Sequence, residues 1–224
     1  MNIILSGVLV LGGIGFCAAL ILYYVAQKFH TDDDMRVQKI EKILPGANCG
    51  GCGQAGCHDF AVACATSDEK SFEKLHCTVG GNKLMKEIAD ILGYKAVEKA
   101  PTVAVLRCQG SCQNAPIKFE FSGLQSCRLA TQIATARSEC PYGCMRLGDC
   151  VNACKFGALK MNPKTGLPKV DENKCVSCGA CVAVCPKQLF EIRPKGKDGK
   201  RVYVACRNQL KGAQARKNCS VACI

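Results

Sequence analysis

No tryptophan occurs in the 224 residues, aromatic side chains make up 6% of them, and only three histidines are present. The scarcity of aromatics removes the side chains that dominate large cores, so several small modules are expected rather than one. His30, His58 and His76 stand apart in the chain, and no side chains form an acid-base or nucleophilic constellation. His76, beside Cys77, reads as an ordinary loop histidine. Charged residues are 21% of the chain and the mean hydropathy is +0.06, values that argue against disorder. Collagen-like and heptad repeats are absent. Charge is missing altogether from residues 1–27, and no basic residue precedes Lys28.

That uncharged start holds one apolar run, residues 3–25, longer than the roughly 20 residues a helix needs to cross a bilayer. It has no basic segment before it and ends in Tyr23, Tyr24 and Val25 instead of a small-residue cleavage site, so it reads as a retained anchor. Lys28, Arg36, Lys39 and Lys42 follow, which places the remaining chain on the cytoplasmic side; Asp32, Asp33 and Asp34 weigh little in that rule. Gly12, Gly13 and Gly15 suit packing against other membrane helices.

What the chain has in excess is cysteine, 20 residues. At about 9% of the sequence, cysteine becomes the framework of a fold. A cytoplasmic setting disfavours disulfides, which leaves ligation of metal by thiolates. The first constellation is Cys49-x2-Cys52-x4-Cys57-x19-Cys77. Its glycine-rich loop suits an iron-sulfur cube, with Gly50, Gly51, Gly53 and Gly56 letting amides turn toward sulfur. Gly51-x-Gly53-x-x-Gly56 also spells a dinucleotide-binding fingerprint, but the residues before it contain Pro45 and do not read as a strand. Residues 82–92 place Leu84, Ile88, Ile91 and Leu92 on one helical face, with Asn82 as cap and Gly93 as stop, a helix expected to pack over this loop.

The strongest signal is Cys175-x2-Cys178-x2-Cys181-x3-Cys185-Pro186, a bacterial ferredoxin run whose fourth cysteine ligates a second cluster. The partner run is Cys140-x3-Cys144-x5-Cys150-x3-Cys154, in which Leu147 occupies the usual second-cysteine position and Lys155 replaces the usual proline. Cys140 is the natural substitute ligand. Crossed ligation then expects one cluster on Cys140, Cys144, Cys150 and Cys185 and another on Cys154, Cys175, Cys178 and Cys181. Zinc is the plain alternative, less suited to four closely spaced thiolates followed by proline.

Two internal repeats support this layout. Cys154 to Cys175 and Cys185 to Cys206 are equally spaced, and each stretch reads as helix turn, strand, turn, strand. The eighteen residues from Cys127 match the eighteen from Cys206 at seven positions, three of them cysteine, so Cys206, Cys219 and Cys223 are expected to open a further, truncated module. Cys108, Cys112 and Cys127 could hold an additional cluster completed by Cys140 or a late cysteine; Cys17 and Cys64 are bystanders, Cys64 as a packing thiol. The expected organisation is an α+β chain: anchor 1–27, four-cysteine [4Fe-4S] domain 28–100, cysteine-containing connector 101–139, two-cluster ferredoxin-like domain with a pseudo-twofold repeat 140–206, and the start of a further module 207–224. Three [4Fe-4S] clusters are expected, with room for a fourth or more.

The anchor, the loop CGGCGQAGC with its distant Cys77, and the pair CPYGCMRLGDCVNAC and CVSCGACVAVCP occur in that order, and the combination resembles the ferredoxin-type iron-sulfur B-subunit of the Rnf ion-translocating electron transport complex. The resemblance covers essentially the whole chain. It implies a single-pass protein of the bacterial inner membrane, without a catalytic site of its own, that takes electrons from reduced soluble ferredoxin. Those electrons pass along [4Fe-4S] clusters toward other membrane subunits of a translocase and finally its NAD-reducing subunit, coupled to sodium or proton movement. A tethered polyferredoxin of another oxidoreductase would share these motifs.

The formal net charge of +12 falls to roughly +6 when three clusters of about −2 each are counted. The remaining basicity is late: Lys187, Arg193, Lys195, Lys197, Lys200, Arg201, Arg207, Lys211, Arg216 and Lys217 face only Glu191 and Asp198. Such a surface suits an acidic ferredoxin. Nucleic acid is not an expected partner, because only Phe190 and Tyr203 lie among these bases.

Overall fold

The computed structural model describes residues 3–28, 34–196 and 199–224. His30, Asp32, Asp33, Lys197 and Asp198 lie outside the described residues. Helix α1 (Ile3–Lys28) is the uncharged run. Its residues 7–27 are exposed along their whole length, and the segment Gly7–Gln27 is long and apolar enough to cross a membrane. An apolar helix that no other part of the protein covers has bilayer as its natural solvent.

Four helices build the first globular unit: α2 (Met35–Ile43), α3 (Cys57–Thr66), α4 (Glu69–Phe72) and α5 (Gly81–Leu92). Asp34 starts α2 by accepting the Arg36 N–H at 3.0 Å. The core joins Val37 and Ile40 of α2, Phe60 and Cys64 of α3, Phe72, and Leu84 and Ile88 of α5. Leu84 and Ile88 are buried as the helical face requires, while Ile91 and Leu92 are only partly covered. Gly93 ends α5 in the left-handed conformation at φ 74°. Asn82 does not cap this helix. It clasps Lys99 instead, donating to the Lys99 carbonyl at 3.0 Å and accepting the Lys99 N–H at 3.1 Å, which ties the exit of the unit to α5.

Beyond residue 100 the chain forms two small antiparallel sheets. Strand β1 (Thr102–Leu106) pairs with β4 (Phe190–Pro194), register Thr102 opposite Pro194, and β2 (Leu159–Met161) pairs with β3 (Pro168–Val170). The stretch read as a connector therefore supplies β1 to the sheet edge of the ferredoxin-like segment. Short helices α6 (Cys127–Ile133), α7 (Asp149–Asn152), α8 (Ala180–Val184) and α9 (Gly212–Asn218) complete the fold.

The pseudo-twofold repeat is written in the backbone. Left-handed residues recur 31 positions apart as Arg146 and Ser177, Gly148 and Gly179, and Gly157 and Gln188. Gly148 and Gly179, at φ 86° and 77°, start α7 and α8, a conformation glycine adopts without steric cost. This register sets Leu147 opposite Cys178. The second half then departs from the first. No strand forms among the described residues after β4, because β1 occupies the place beside β4 and Arg107 draws the late chain away, its guanidinium donating to the carbonyls of Val204 at 3.1 Å and Cys206 at 3.3 Å. The eighteen-residue repeat is likewise not a structural one: α6 begins at Cys127, whereas α9 begins six residues after Cys206.

Candidate iron-sulfur centres

In the first unit Cys49, Cys52, Cys57 and Cys77 line one cavity. Asn48 closes the glycine loop by accepting the Cys57 N–H at 2.7 Å through its side chain. Cys77 enters from the turn before α5, where its sulfur accepts the Gly80 N–H at 3.4 Å. Burial pushes the Cys77 thiol above its ordinary pKa, and the Gly80 and Val79 N–H groups work in the opposite sense. All four of these sequence-derived candidates meet.

In the ferredoxin-like unit Cys154, Cys175, Cys178 and Cys181 line a second cavity, the grouping that crossed ligation expects. The companion cavity is lined by Cys144, Cys150 and Cys185 together with Cys127. Cys140 is not part of it. The physical reason lies at Asp149: its carboxylate accepts the Ser126 hydroxyl at 3.0 Å and the Arg128 N–H at 3.1 Å, holding the start of α6 against the start of α7. Ser126 in turn caps α6. The thiol of Cys127, the first residue of that helix, then accepts the backbone N–H groups of Leu147 and Asp149. Leu147 is packed with Cys127, Ala130 and Met145. The Cys127 thiol, from another segment, thus stands beside the position where Leu147 has none.

Cys140 lines a fourth cavity with Cys108, Cys206 and Cys219. The sequence left open an additional site on Cys108 completed by Cys140 or a late cysteine, but it grouped Cys112 and Cys127 with that site and did not place Cys127 beside Leu147. Leu147 was the available signal, since a missing thiolate must be replaced, but spacing does not rank Cys127 above Cys140. Cys112 and Cys223 are exposed and line none of the four cavities. Cys64 is fully buried in the first core, where burial pushes its thiol up to about 12, the behaviour of an inert packing group.

Among the described residues no three His, Cys, Asp or Glu side chains converge tightly enough to hold a single metal ion. A tetrahedral zinc site would bring thiolate sulfurs to about 3.8 Å from one another, given Zn–S bonds of about 2.3 Å. Thiols standing around a cavity instead fit a many-atom group, and the N–H groups aimed at sulfur suit a cluster that gains negative charge. Burial, and secondarily the neighbouring thiols, raise Cys150 to about 12 and Cys181 to about 11. Uncompensated thiolates are disfavoured in these sites, and ligation to iron supplies the compensation.

The cavities form a row. Gly51 of the first loop has no room for a side chain, since a Cβ there would stand 2.8 Å from the Cys178 Cα. Cys150 and Cys181 pack in one buried cluster across the next junction, and Cys144 packs against the cluster of Cys108 across the last. The dinucleotide fingerprint at Gly51 is therefore a packing surface against a second cysteine loop, not a strand-to-helix turn.

Two known domain families match within the chain, the 4Fe-4S dicluster domain over residues 139–189 and an Fe-S cluster family over residues 44–71. The chain is 36% identical over 224 residues to the B-subunit of the ion-translocating oxidoreductase complex of Methanosarcina acetivorans, covering all of this chain and 82% of that protein. It is 37% identical over 223 residues to the B-subunit of the proton-translocating ferredoxin:NAD(+) oxidoreductase complex of Clostridium ljungdahlii, covering 76% of that protein. It is 38% identical over 223 residues to the B-subunit of the Na(+)-translocating ferredoxin:NAD(+) oxidoreductase complex of Acetobacterium woodii, of whose length it spans 65%. With an apolar N-terminal helix, iron-sulfur domains and full-length similarity of this kind, the chain belongs to the B-subunit family of the ion-translocating (Rnf) oxidoreductase complexes.

Proposed function

We propose that this chain is the membrane-anchored relay subunit of an ion-translocating ferredoxin:NAD oxidoreductase, accepting electrons from reduced soluble ferredoxin and passing them toward the complex's other membrane subunits. The observation that carries this reading is the contiguous row of four-cysteine cavities. When bound in such a cavity, a [4Fe-4S] cluster supplies reversible one-electron chemistry. Cys49, Cys52, Cys57 and Cys77 would hold the first, Cys154, Cys175, Cys178 and Cys181 the second, and Cys127, Cys144, Cys150 and Cys185 the third. Leu106, Met145, Leu189 and Phe190 shield the third site from water. Cys185 accepts the Leu189 N–H at 3.4 Å, and N–H donors of this kind favour the more negative, reduced state. Helix α1 crosses the membrane once, with the cysteine-rich units on the cytoplasmic side.

The basic surplus divides into two roles. Arg193 pairs with Glu191, Arg201 with Glu172, and Lys187 and Arg207 donate to backbone carbonyls. Lys200, Lys211, Arg216 and Lys217 are exposed and are the residues proposed to attract an acidic ferredoxin. The test is anaerobic mixing of the full chain in detergent with reduced ferredoxin. Oxidation of ferredoxin should match the appearance of reduced-cluster paramagnetic signals, and the rate should fall as salt rises. Ferredoxin that stays reduced in the presence of cluster-loaded protein would refute the proposal.

A further inference from the structure

We propose that Cys108, Cys140, Cys206 and Cys219 ligate a fourth [4Fe-4S] cluster, which extends the row beyond the Cys127-containing site. The inference rests on reading the other four-cysteine cavities as cluster sites. Its own support begins with likeness: four cysteines from separate stretches line this cavity, as four line the Cys127 cavity. Its thiols are satisfied in the same manner. Cys108 accepts the N–H groups of Cys144 and Gly110, Cys140 that of Tyr142, and Cys206 that of Asn208 at 3.4 Å. Gly110 lies beside two of the four thiols, its Cβ position at ordinary contact distance, 3.6 Å, from both the Cys108 and the Cys219 sulfur.

The four residues come from three distant stretches, and separate ties bring them together. Arg107 holds the late chain at Val204 and Cys206, and the Asn114 carbonyl accepts the Ser220 N–H at 3.0 Å. Such ties close loops of roughly a hundred residues. Arg146 gives an independent sign of negative charge here. Its buried guanidinium donates to the carbonyls of Gly110 at 2.8 Å, Ser111 at 3.0 Å and Ala115 at 2.7 Å, and among the described residues it has no carboxylate partner. It also donates to the Cys112 sulfur at 3.6 Å, and further negative charge nearby would stabilise such a buried cation. Arg146 lies between Cys144 and Cys150 and grips the loop that follows Cys108, where anionic clusters on either side would provide it.

The test is iron and acid-labile sulfide analysis of the full chain purified anaerobically in detergent, with Mössbauer and paramagnetic resonance spectra. Four sites predict about 16 iron atoms per chain and three predict about 12. Cys219→Ala and Cys140→Ala should each lose a quarter of the iron and the same spectral component, and the double variant should lose no more than either alone. Cys112→Ala and Cys223→Ala should lose none. About 12 irons in the unaltered chain, or full iron in Cys219→Ala, would overturn the fourth site while leaving the other three intact. A double variant that loses two distinct components would return Cys140 to the ferredoxin pair and also overturn it. No iron at all would instead sink the cluster reading of the whole row. Cys206→Ala repeats the measurement at the half-buried edge of the site should Cys219→Ala not fold.

Discussion

Replacing Cys127 by alanine should remove one cluster and leave its neighbours in place. The bonds that fix α6, from the Ser126 hydroxyl and the Arg128 N–H to Asp149, do not involve the Cys127 sulfur, so the local fold survives the loss. The expected result is a deficit of about four iron atoms per chain, with disappearance of one low-potential signal. Leu147→Cys then offers a rescue, because Leu147 occupies the position that Cys178 holds in the other half. By itself this change trades four side-chain carbons for one carbon and one sulfur in a buried satellite core. The cost is about 1.6 kcal/mol, two methylene equivalents at ~0.8 kcal/mol each, with no gain of iron while Cys127 is present. In the Cys127→Ala background it should restore most of the missing iron, since the peptide at Leu147 already faces that ligand position. The assay is iron and sulfide content with paramagnetic resonance of dithionite-reduced protein, and anaerobic denaturant titration for stability. Full iron in Cys127→Ala would refute the reasoning, as would loss of this signal in Cys140→Ala.

Arg146→Gln strips buried carbonyls of charged donors and should destabilise the ferredoxin-like unit by roughly 2–4 kcal/mol, measured by anaerobic guanidinium unfolding. The Arg201 guanidinium holds the Glu172 carboxyl below the usual carboxylate range. The pair's contribution is therefore present at neutral pH and lost as pH falls through that lowered value. Solvent screening keeps it under about 1 kcal/mol, so Glu172→Gln should flatten the acid limb of the stability profile with little change at pH 7. Ile14→Arg places a charge near the middle of α1, costing about 2.5–3.5 kcal/mol for insertion; the protein should shift from the membrane to the soluble fraction on sedimentation. Alkylation of the folded, cluster-loaded chain should label the exposed Cys112 and Cys223 and spare Cys64, with peptide mass spectrometry as the readout.

The parts of the structure that rest on short-range order were legible. Three thiolates within nine residues cannot avoid one another when glycines let the loop close, so the Cys49 loop needed no tertiary information. The same holds for Cys175, Cys178 and Cys181, for the left-handed stop at Gly93, and for the uncharged α1. Asn82 was misread because a capping side chain and a long-range clasp look alike in sequence, and only the position of Lys99 separates them. The second hairpin was misread for a comparable reason: the strand-like run near residue 203 has a competitor, β1, whose pairing with β4 spans more than eighty residues.

The sequence by itself determined that this is a tethered, cysteine-framed protein, because ligand spacing within a loop and the length of an apolar run are local quantities. The tertiary structure alone decided which distant thiol stands beside each local group. Cys127 and Cys140 are equally available along the chain, and the choice between them falls to a carboxylate on Asp149 that draws one helix start onto another. Cys206 and Cys219 resemble the opening of a further unit until Arg107 and Asn114 fold them back onto Cys108 and Cys140. Those contacts join residues about a hundred positions apart, where spacing carries no information and packing, hydrogen bonding and charge select the partner.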